Sequence, residues 1–275
     1  MNENDNILID LDQIFKSKAP KVYKKTPRFL INFLKKTIHL DEINEILLYG
    51  KDHQGVDFMN KAIEYFNVKF EVEGLNEIPT EGRYIFASNH PLGGFDGICL
   101  TSIIGEHFNH KVKYIVNDLL FNLKPLQSIF VPVNKHGKQS KDAISLQTEA
   151  FKSDNQIITF PAGLCSRKEN KIIRDLEWKK TFISKAIETQ RDIVPVYFDG
   201  ANSNFFYRFA NIRKKIGVKF NAEMLFLPDE MFKNKNKTFK IIFGKPISYT
   251  MFDNTKTLKE WAQYVKEESY KLASK

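Results

Sequence analysis

The stretch Tyr84-Ile85-Phe86-Ala87-Ser88-Asn89-His90-Pro91-Leu92-Gly93-Gly94-Phe95-Asp96-Gly97 carries the reading of this chain. Its first five residues suit a buried strand at 84–88, and the apolar run at 98–104 suits a helix. Between them lies a loop with a histidine, two glycines and a carboxylate. In open α/β sheets, ligands bind where such loops leave the carboxyl ends of strands.

The neighbouring sequence repeats the alternation. Upstream, Met59, Ile63 and Phe66 follow Gly55 at helical spacing, and Val68, Phe70 and Val72 alternate as a strand that stops at Gly74. Downstream, strands are expected at 112–116 and 129–133, a helix at 141–151 and a strand at 157–160. A charged loop follows, then a helix at 178–188, a strand at 193–198, a helix at 205–216, a strand at 239–243, the turn Gly244-Lys245-Pro246 and a helix at 258–272. This order predicts an α/β fold with a mostly parallel sheet flanked by helices. No internal repeat or linker interrupts it, so residues 55–275 are expected as one compact domain and residues 1–54 as a basic helical N-terminal extension.

With 275 residues and 42% apolar content the chain is long enough for one full core. Its net charge of +9 attracts polyanions, whether nucleic acid, an anionic bilayer or a phosphorylated small molecule. Lys18, Lys21, Lys24, Lys25, Arg28 and Lys35 occur in an acid-free stretch interleaved with Phe15, Val22, Tyr23, Phe29, Leu30, Phe33 and Leu34. That suits a helix on an anionic surface, or equally a solvated helix docked on the main domain, and Pro20 and Pro27 interrupt any long helix. The 24 phenylalanines are more than such a core usually takes and leave some for an apolar groove or a membrane face. The acidic start Met1-Asn2-Glu3-Asn4-Asp5 has no signal character, and no run reaches the roughly eighteen apolar residues of a spanning helix. The expectation is therefore a protein neither exported nor integral. Cys99 and Cys165 lie far apart without a partner motif, which fits buried thiols in a reducing cytoplasm.

His90 and Asp96 are the candidate chemical pair. A neutral imidazole takes a proton from a hydroxyl, and a carboxylate on its other nitrogen fixes the tautomer and stabilises the imidazolium. Gly93 and Gly94 let the chain turn back so that the two meet; the alternative is a glycine-rich turn with an incidental histidine.

The loop resembles the first block of the glycerolipid (lysophospholipid) acyltransferase superfamily, Asn-His followed by four residues and Asp. Three further blocks have counterparts in order: Ile129-Phe130-Val131-Pro132-Val133-Asn134-Lys135, Phe160-Pro161-Ala162-Gly163-Leu164-Cys165-Ser166-Arg167, and Ile193-Val194-Pro195-Val196. Phe243-Gly244-Lys245-Pro246-Ile247 matches a tail element of the same family. The resemblance implies an acyltransferase fold and an acyl transfer from acyl-CoA or acyl-carrier protein to a lysolipid hydroxyl. By it, His90 is the general base, Asp96 orients it, and no covalent acyl-enzyme or other cofactor is needed. It further implies a substrate-binding set of Asn89, Gly93, Gly94, Lys135, Pro161, Gly163, Ser166 and Arg167, and work at an anionic membrane surface on the inner face of the cell membrane.

Two departures from the family pattern carry information. Five residues separate His90 from Asp96, and the loop His-Pro-Leu-Gly-Gly-Phe-Asp-Gly resembles a bacterial branch of hemolysin-like proteins and amino-acid-lipid acyltransferases. Ala162 replaces the usual Glu of the third block and Cys165 its Arg, leaving Arg167 two places on. An Arg there normally grips a phosphate as a bidentate pair, so the change points to a non-phosphorylated acceptor such as a lyso amino-acid lipid, with Arg167, Lys168 or Lys135 as other anion ligands. No Gly-x-Ser-x-Gly elbow is present, as direct transfer allows.

Asn202-Ser203-Asn204 reads either as a helix cap or as a substrate contact, and a similar segment occurs in the hemolysin-like branch. His39, His53, His107, His110 and His136 show no carboxylate or cysteine at ligand spacing, so no metal is expected. A non-catalytic basic protein for membranes or nucleic acid is the alternative class, yet no nucleic-acid signature supports it and nucleic acid is not an expected partner. A membrane-lytic protein would need spanning or hairpin segments that are missing from the pattern.

Overall fold

A computed structural model describes residues 7–117, 120–133 and 141–274. The N-terminal part forms four short helices, α1 (Leu11–Lys18), α2 (Pro20–Lys25), α3 (Arg28–Thr37) and α4 (Leu40–Tyr49). Pro20 is the first residue of α2, where a missing N–H costs nothing, and Pro27 stands just before α3. The two prolines thus divide the basic stretch into separate pieces. α2 buries no side chain and α3 buries only Ile31. α4 is different: its Ile46 and Leu47 join one apolar cluster with Val56, Phe58 and Met59 of α5 (Gly55–Phe66).

The rest alternates as the sequence pattern requires. β1 (Lys69–Glu73), β2 (Tyr84–Ser88), α6 (Gly94–His107), β3 (Val112–Asn117) and β4 (Phe130–Val133) come first. α7 (Lys141–Lys152), β5 (Gln156–Thr159), β6 (Arg167–Glu169), β7 (Ile172–Arg174), α8 (Thr181–Thr189) and β8 (Asp192–Phe198) follow. α9 (Asn204–Lys215), α10 (Leu227–Phe232), β9 (Thr238–Phe243) and α11 (Leu258–Lys271) complete the chain. Seven strands form one sheet in the order β1-β9-β8-β2-β5-β3-β4. The five strands from β8 to β4 are mutually parallel, while β9 runs against β8 and β1 runs with β9. The expected mostly parallel sheet flanked by helices is therefore present.

All five residues of β2 are buried, because helices cover both sides. Successive side chains of a strand point to opposite faces, so Tyr84 and Phe86 pack with α5 and α6 while Ile85 and Ala87 pack with α8 and α11 around Trp178, Ile183, Trp261 and Val265. The central strand is thus held from both sides, and its carboxyl end is a fixed point.

Three local differences from the sequence pattern have physical causes. α6 starts at Gly94 rather than near 98, because Gly93 turns the chain at φ 77° and ψ −129°, a conformation open to glycine alone. The charged loop after β5 contains the β6–β7 hairpin, closed by Asn170 and Lys171, both at positive φ. Without a glycine in that turn the hairpin is hidden in the sequence. Residues 222–232, for which no element was expected, form a 3-10 turn and α10.

Candidate active site

Asn89 and His90 follow the buried end of β2. Asn89 is itself structural: its side chain accepts from the Phe198 N–H at 2.7 Å and donates to the Phe198 carbonyl at 2.9 Å. The amide copies a strand partner and ties the loop to the end of β8. The turn at Gly93 then places Asp96 in the first turn of α6, where the helix dipole favours a negative charge. A side chain at Gly93 would also meet Leu227 at the start of α10, 2.8 Å from where its Cβ would stand.

Asp96 is fully buried and divides its two oxygens. Oδ1 lies 2.9 Å from His90 Nδ1, and Oδ2 accepts the Leu92 N–H at 2.9 Å. An ionised carboxylate only accepts, so Nδ1 carries the proton and the lone pair of Nε2 is left free. Among the described residues nothing hydrogen-bonds Nε2, and the His90 side chain is 14% exposed. The ring stacks on Phe160 at 4.1 Å, which fixes its plane. Histidine and carboxylate thus meet as the loop pattern suggested, with the carboxylate on the helix rather than in the loop.

A second carboxylate, Asp175, was not singled out from sequence. It is buried, and its Oδ1 accepts from the His90 backbone N–H at 3.2 Å and the Ser166 hydroxyl at 2.6 Å. Its Oδ2 accepts from the Trp178 indole at 2.8 Å, and its own N–H donates to the Tyr270 hydroxyl. Burial raises its pKa, while the Ser166 and Trp178 donors and the nearby His90 pull it back down. The Ser166 N–H donates to the His90 carbonyl at 2.7 Å. Together these bonds hold the backbone of His90 at both its N–H and its carbonyl. The one sequence signal was Trp178 three residues after Asp175, since a buried indole N–H needs an acceptor.

The other expected substrate residues divide into groups. Pro161 is buried, and Gly163, at φ 69°, closes a turn by donating its N–H to the Phe160 carbonyl beneath the His90 ring. Gly94 has open space around it. Arg167 is largely buried and turned inward: it donates to the Cys165 carbonyl at 3.1 Å and to Glu223 at 2.9 Å. Glu223, fully buried, is held on its other side by Arg213 at 2.7 Å. Lys168 reaches Asn204 at 2.9 Å, and Lys135 lies outside the described residues. Ser203 caps α9, accepting from the Phe206 N–H, while Asn202 is buried and donates to the Pro91 carbonyl at 3.0 Å.

Neither cysteine is poised as a nucleophile. Burial pushes the Cys165 thiol up to about 11 and the Cys99 thiol well above its usual range. Ser166 donates to Asp175 and not to His90, so His90 does not activate it. One expectation is corrected: His110 and His39 do have carboxylate neighbours, Glu106 and Glu42 at one-turn spacing in the sequence and Asp57 and Asp229 supplied by the fold. His110 lies 3.3 Å from Glu106 and 3.8 Å from Asp57, and His39 lies 3.0 Å from Glu42 and 3.1 Å from Asp229. The trio Asp57, Glu106 and His110 is exposed at the surface.

A family model described as acyltransferase matches residues 13–275. The lyso-glycine lipid O-acyltransferase of Bacteroides thetaiotaomicron is 54% identical over 272 residues, which is 99% of this chain and 100% of that protein. The protein of the same name from Phocaeicola vulgatus is 51% identical over 272 residues, 99% of this chain and 98% of that one. Among solved structures, the 1-acyl-sn-glycerophosphate (LPA) acyltransferase of Thermotoga maritima aligns over 90% of each chain with a TM-score of 0.49 and 17% identity.

Proposed function

This chain belongs to the acyltransferase family, and from that premise we propose that it moves a fatty acyl chain from acyl-CoA or acyl-carrier protein to the hydroxyl of a lysolipid, a lyso-glycine lipid above all. The observation that carries the chemistry is the His90–Asp96 pair at the end of β2, with Nε2 free. Nε2 takes the proton of the acceptor hydroxyl as its oxygen attacks the thioester carbonyl. The imidazolium, held by Asp96, then returns that proton to the departing thiolate. One C–O bond forms, one C–S bond breaks, and no acyl group passes through the protein. A base so placed accounts for about 10²–10⁴ of the rate.

Two features support the acceptor. The relatives with this name match almost the whole chain, and Arg167 is spent on Glu223, which suits an acceptor without a phosphate to grip. On this reading the protein works at the inner face of the membrane, an assignment supported by the net charge of +9, which favours anionic lipid.

The test is transfer from radiolabelled acyl-CoA and acyl-carrier protein to lyso-glycine lipid, lyso-ornithine lipid and lysophosphatidate, comparing wild type with His90→Ala. Transfer to the glycine lipid that falls by about 10³-fold or more in the variant is expected. Equal rates in both proteins would remove His90 as the base.

A further inference from the structure

We propose that α9 and the loop after it form a bilayer-docking surface that brings the mouth of the His90 site down onto anionic lipid. This rests on the lysolipid reading above and names the surface through which such an acceptor would arrive.

α9 is apolar on two sides. Phe206, Tyr207 and Ala210 face inward and are buried. Phe205, Phe209, Ile212 and Ile216 lie on another side at spacings of four, three and four, and Ile212 and Ile216 are 58% and 69% exposed. Val218 and Phe220 extend the exposed set beyond the helix, Phe220 at 67%. Phe205 and Phe209 stack on each other and both meet Phe226 edge to face. An apolar group of this size on a water-soluble surface marks a contact site.

Charge selects the occupant. Residues 204–222 contain Arg208, Arg213, Lys214, Lys215 and Lys219 and no acid. Arg213 is spent on Glu223 and Lys214 on Glu169, while Arg208, Lys215 and Lys219 have no acidic partner among the described residues. A second copy docked face to face would set these cations against their own images, which costs energy; anionic headgroups would pair with them while acyl chains cover the apolar side chains.

The surface is tied to the site. Asn202, just before α9, donates to the carbonyl of Pro91, next to His90, and Leu227, just after this segment, packs on Gly93. The β6–β7 hairpin braces the helix through Asn211 to the Lys168 carbonyl. The N-terminal end of α9 is therefore fixed beside the loop that carries His90, and Ile212 and Ile216 lie about two and three turns further along the same helix.

The experiment uses vesicles of equal parts phosphatidylglycerol and phosphatidylcholine, vesicles of phosphatidylcholine alone, and detergent-solubilised lyso-glycine lipid. Ile216→Glu with Phe220→Glu should bind the anionic vesicles about tenfold or more weakly. Transfer to vesicle-borne acceptor should fall in step, and transfer to solubilised acceptor should stay at the wild-type rate. Lys215→Glu with Lys219→Glu should weaken binding to the anionic vesicles only, a difference that high salt removes. Both variants alter exposed side chains, so circular dichroism should match wild type. Wild-type vesicle affinity in both variants would overturn the proposal, as would a wild-type dimer that Phe220→Glu dissociates while vesicle binding is unchanged. Failure of wild type to acylate the solubilised acceptor would sink the functional reading instead, and the vesicle affinities would still decide the docking.

Discussion

Phe86 and Phe29 are the same residue in two differently built regions. Phe86 sits fully buried in the central strand, with Phe108 and Phe243 against its ring, whereas Phe29 on α3 is 69% exposed. Around β2 the buried carboxyls of Asp96 and Asp175 are each bonded to two or more partners beside His90; along α1 to α3 Arg28 and Lys35 are tied to Asp12. Chemistry that depends on tenths of an ångström is placed where packing leaves no freedom, and apolar side chains left in water mark where the chain meets something else.

The contrast can be broken first at His90 and Asp96. Asp96→Asn keeps the shape but lets the wrong tautomer of His90 form, and transfer should fall by roughly 10³–10⁴-fold with little change in melting temperature. A loss under tenfold in steady-state kinetics would mean that Asp96 only packs. Phe86→Ala against Phe29→Ala then measures the two regions directly: chemical denaturation should give about 3–5 kcal/mol for the first and within about 0.5 kcal/mol for the second.

A smaller effect is expected at the backbone clamp. Ser166→Ala removes a donor from the buried carboxyl of Asp175 and should cost about 1–3 kcal/mol. Burial already holds that carboxyl above its usual 3.8, and losing the Ser166 bond raises it further. A carboxyl raised on folding contributes most stability when protonated and loses it as pH rises through the folded value. The cost should therefore be greater near neutral pH than at about pH 4, as unfolding curves at both would show.

The smallest change lies at the N-terminal helices. Asp12 is held at about 2, first by its hydrogen bond from Lys35 and then by that from Tyr23. A depressed carboxyl supplies its tie above 3.8 and loses it as pH falls through about 2. Asp12→Asn should speed tryptic cleavage at Lys21, Lys24 and Lys25 several-fold while the global melting temperature stays put. A melting temperature that dropped with it would show that α1 to α3 belong to the cooperative core.

Much of this was legible in the chain. The strand at 84–88, the loop and the helix behind it followed from apolar runs and two glycines, and the His90–Asp96 pairing from their placement at the ends of that loop. Local pattern suffices when partners are close in sequence. Asp175 was not legible, because the backbone N–H it accepts lies 85 residues away, and only the sheet order brings them together. The hairpin was hidden because Asn170-Lys171 turns without glycine.

By itself the sequence determined the alternation of strands and helices, the histidine and carboxylate set at the ends of one short loop, and the excess of basic charge, since each is written in residue type and short spacing. Tertiary structure alone decided that Arg167 faces Glu223, that Asp175 grips the backbone of His90, and that α9 turns Ile212 and Ile216 to solvent. Those outcomes depend on which distant surfaces are left over once the sheet has taken the apolar residues it needs, and no local pattern records that remainder.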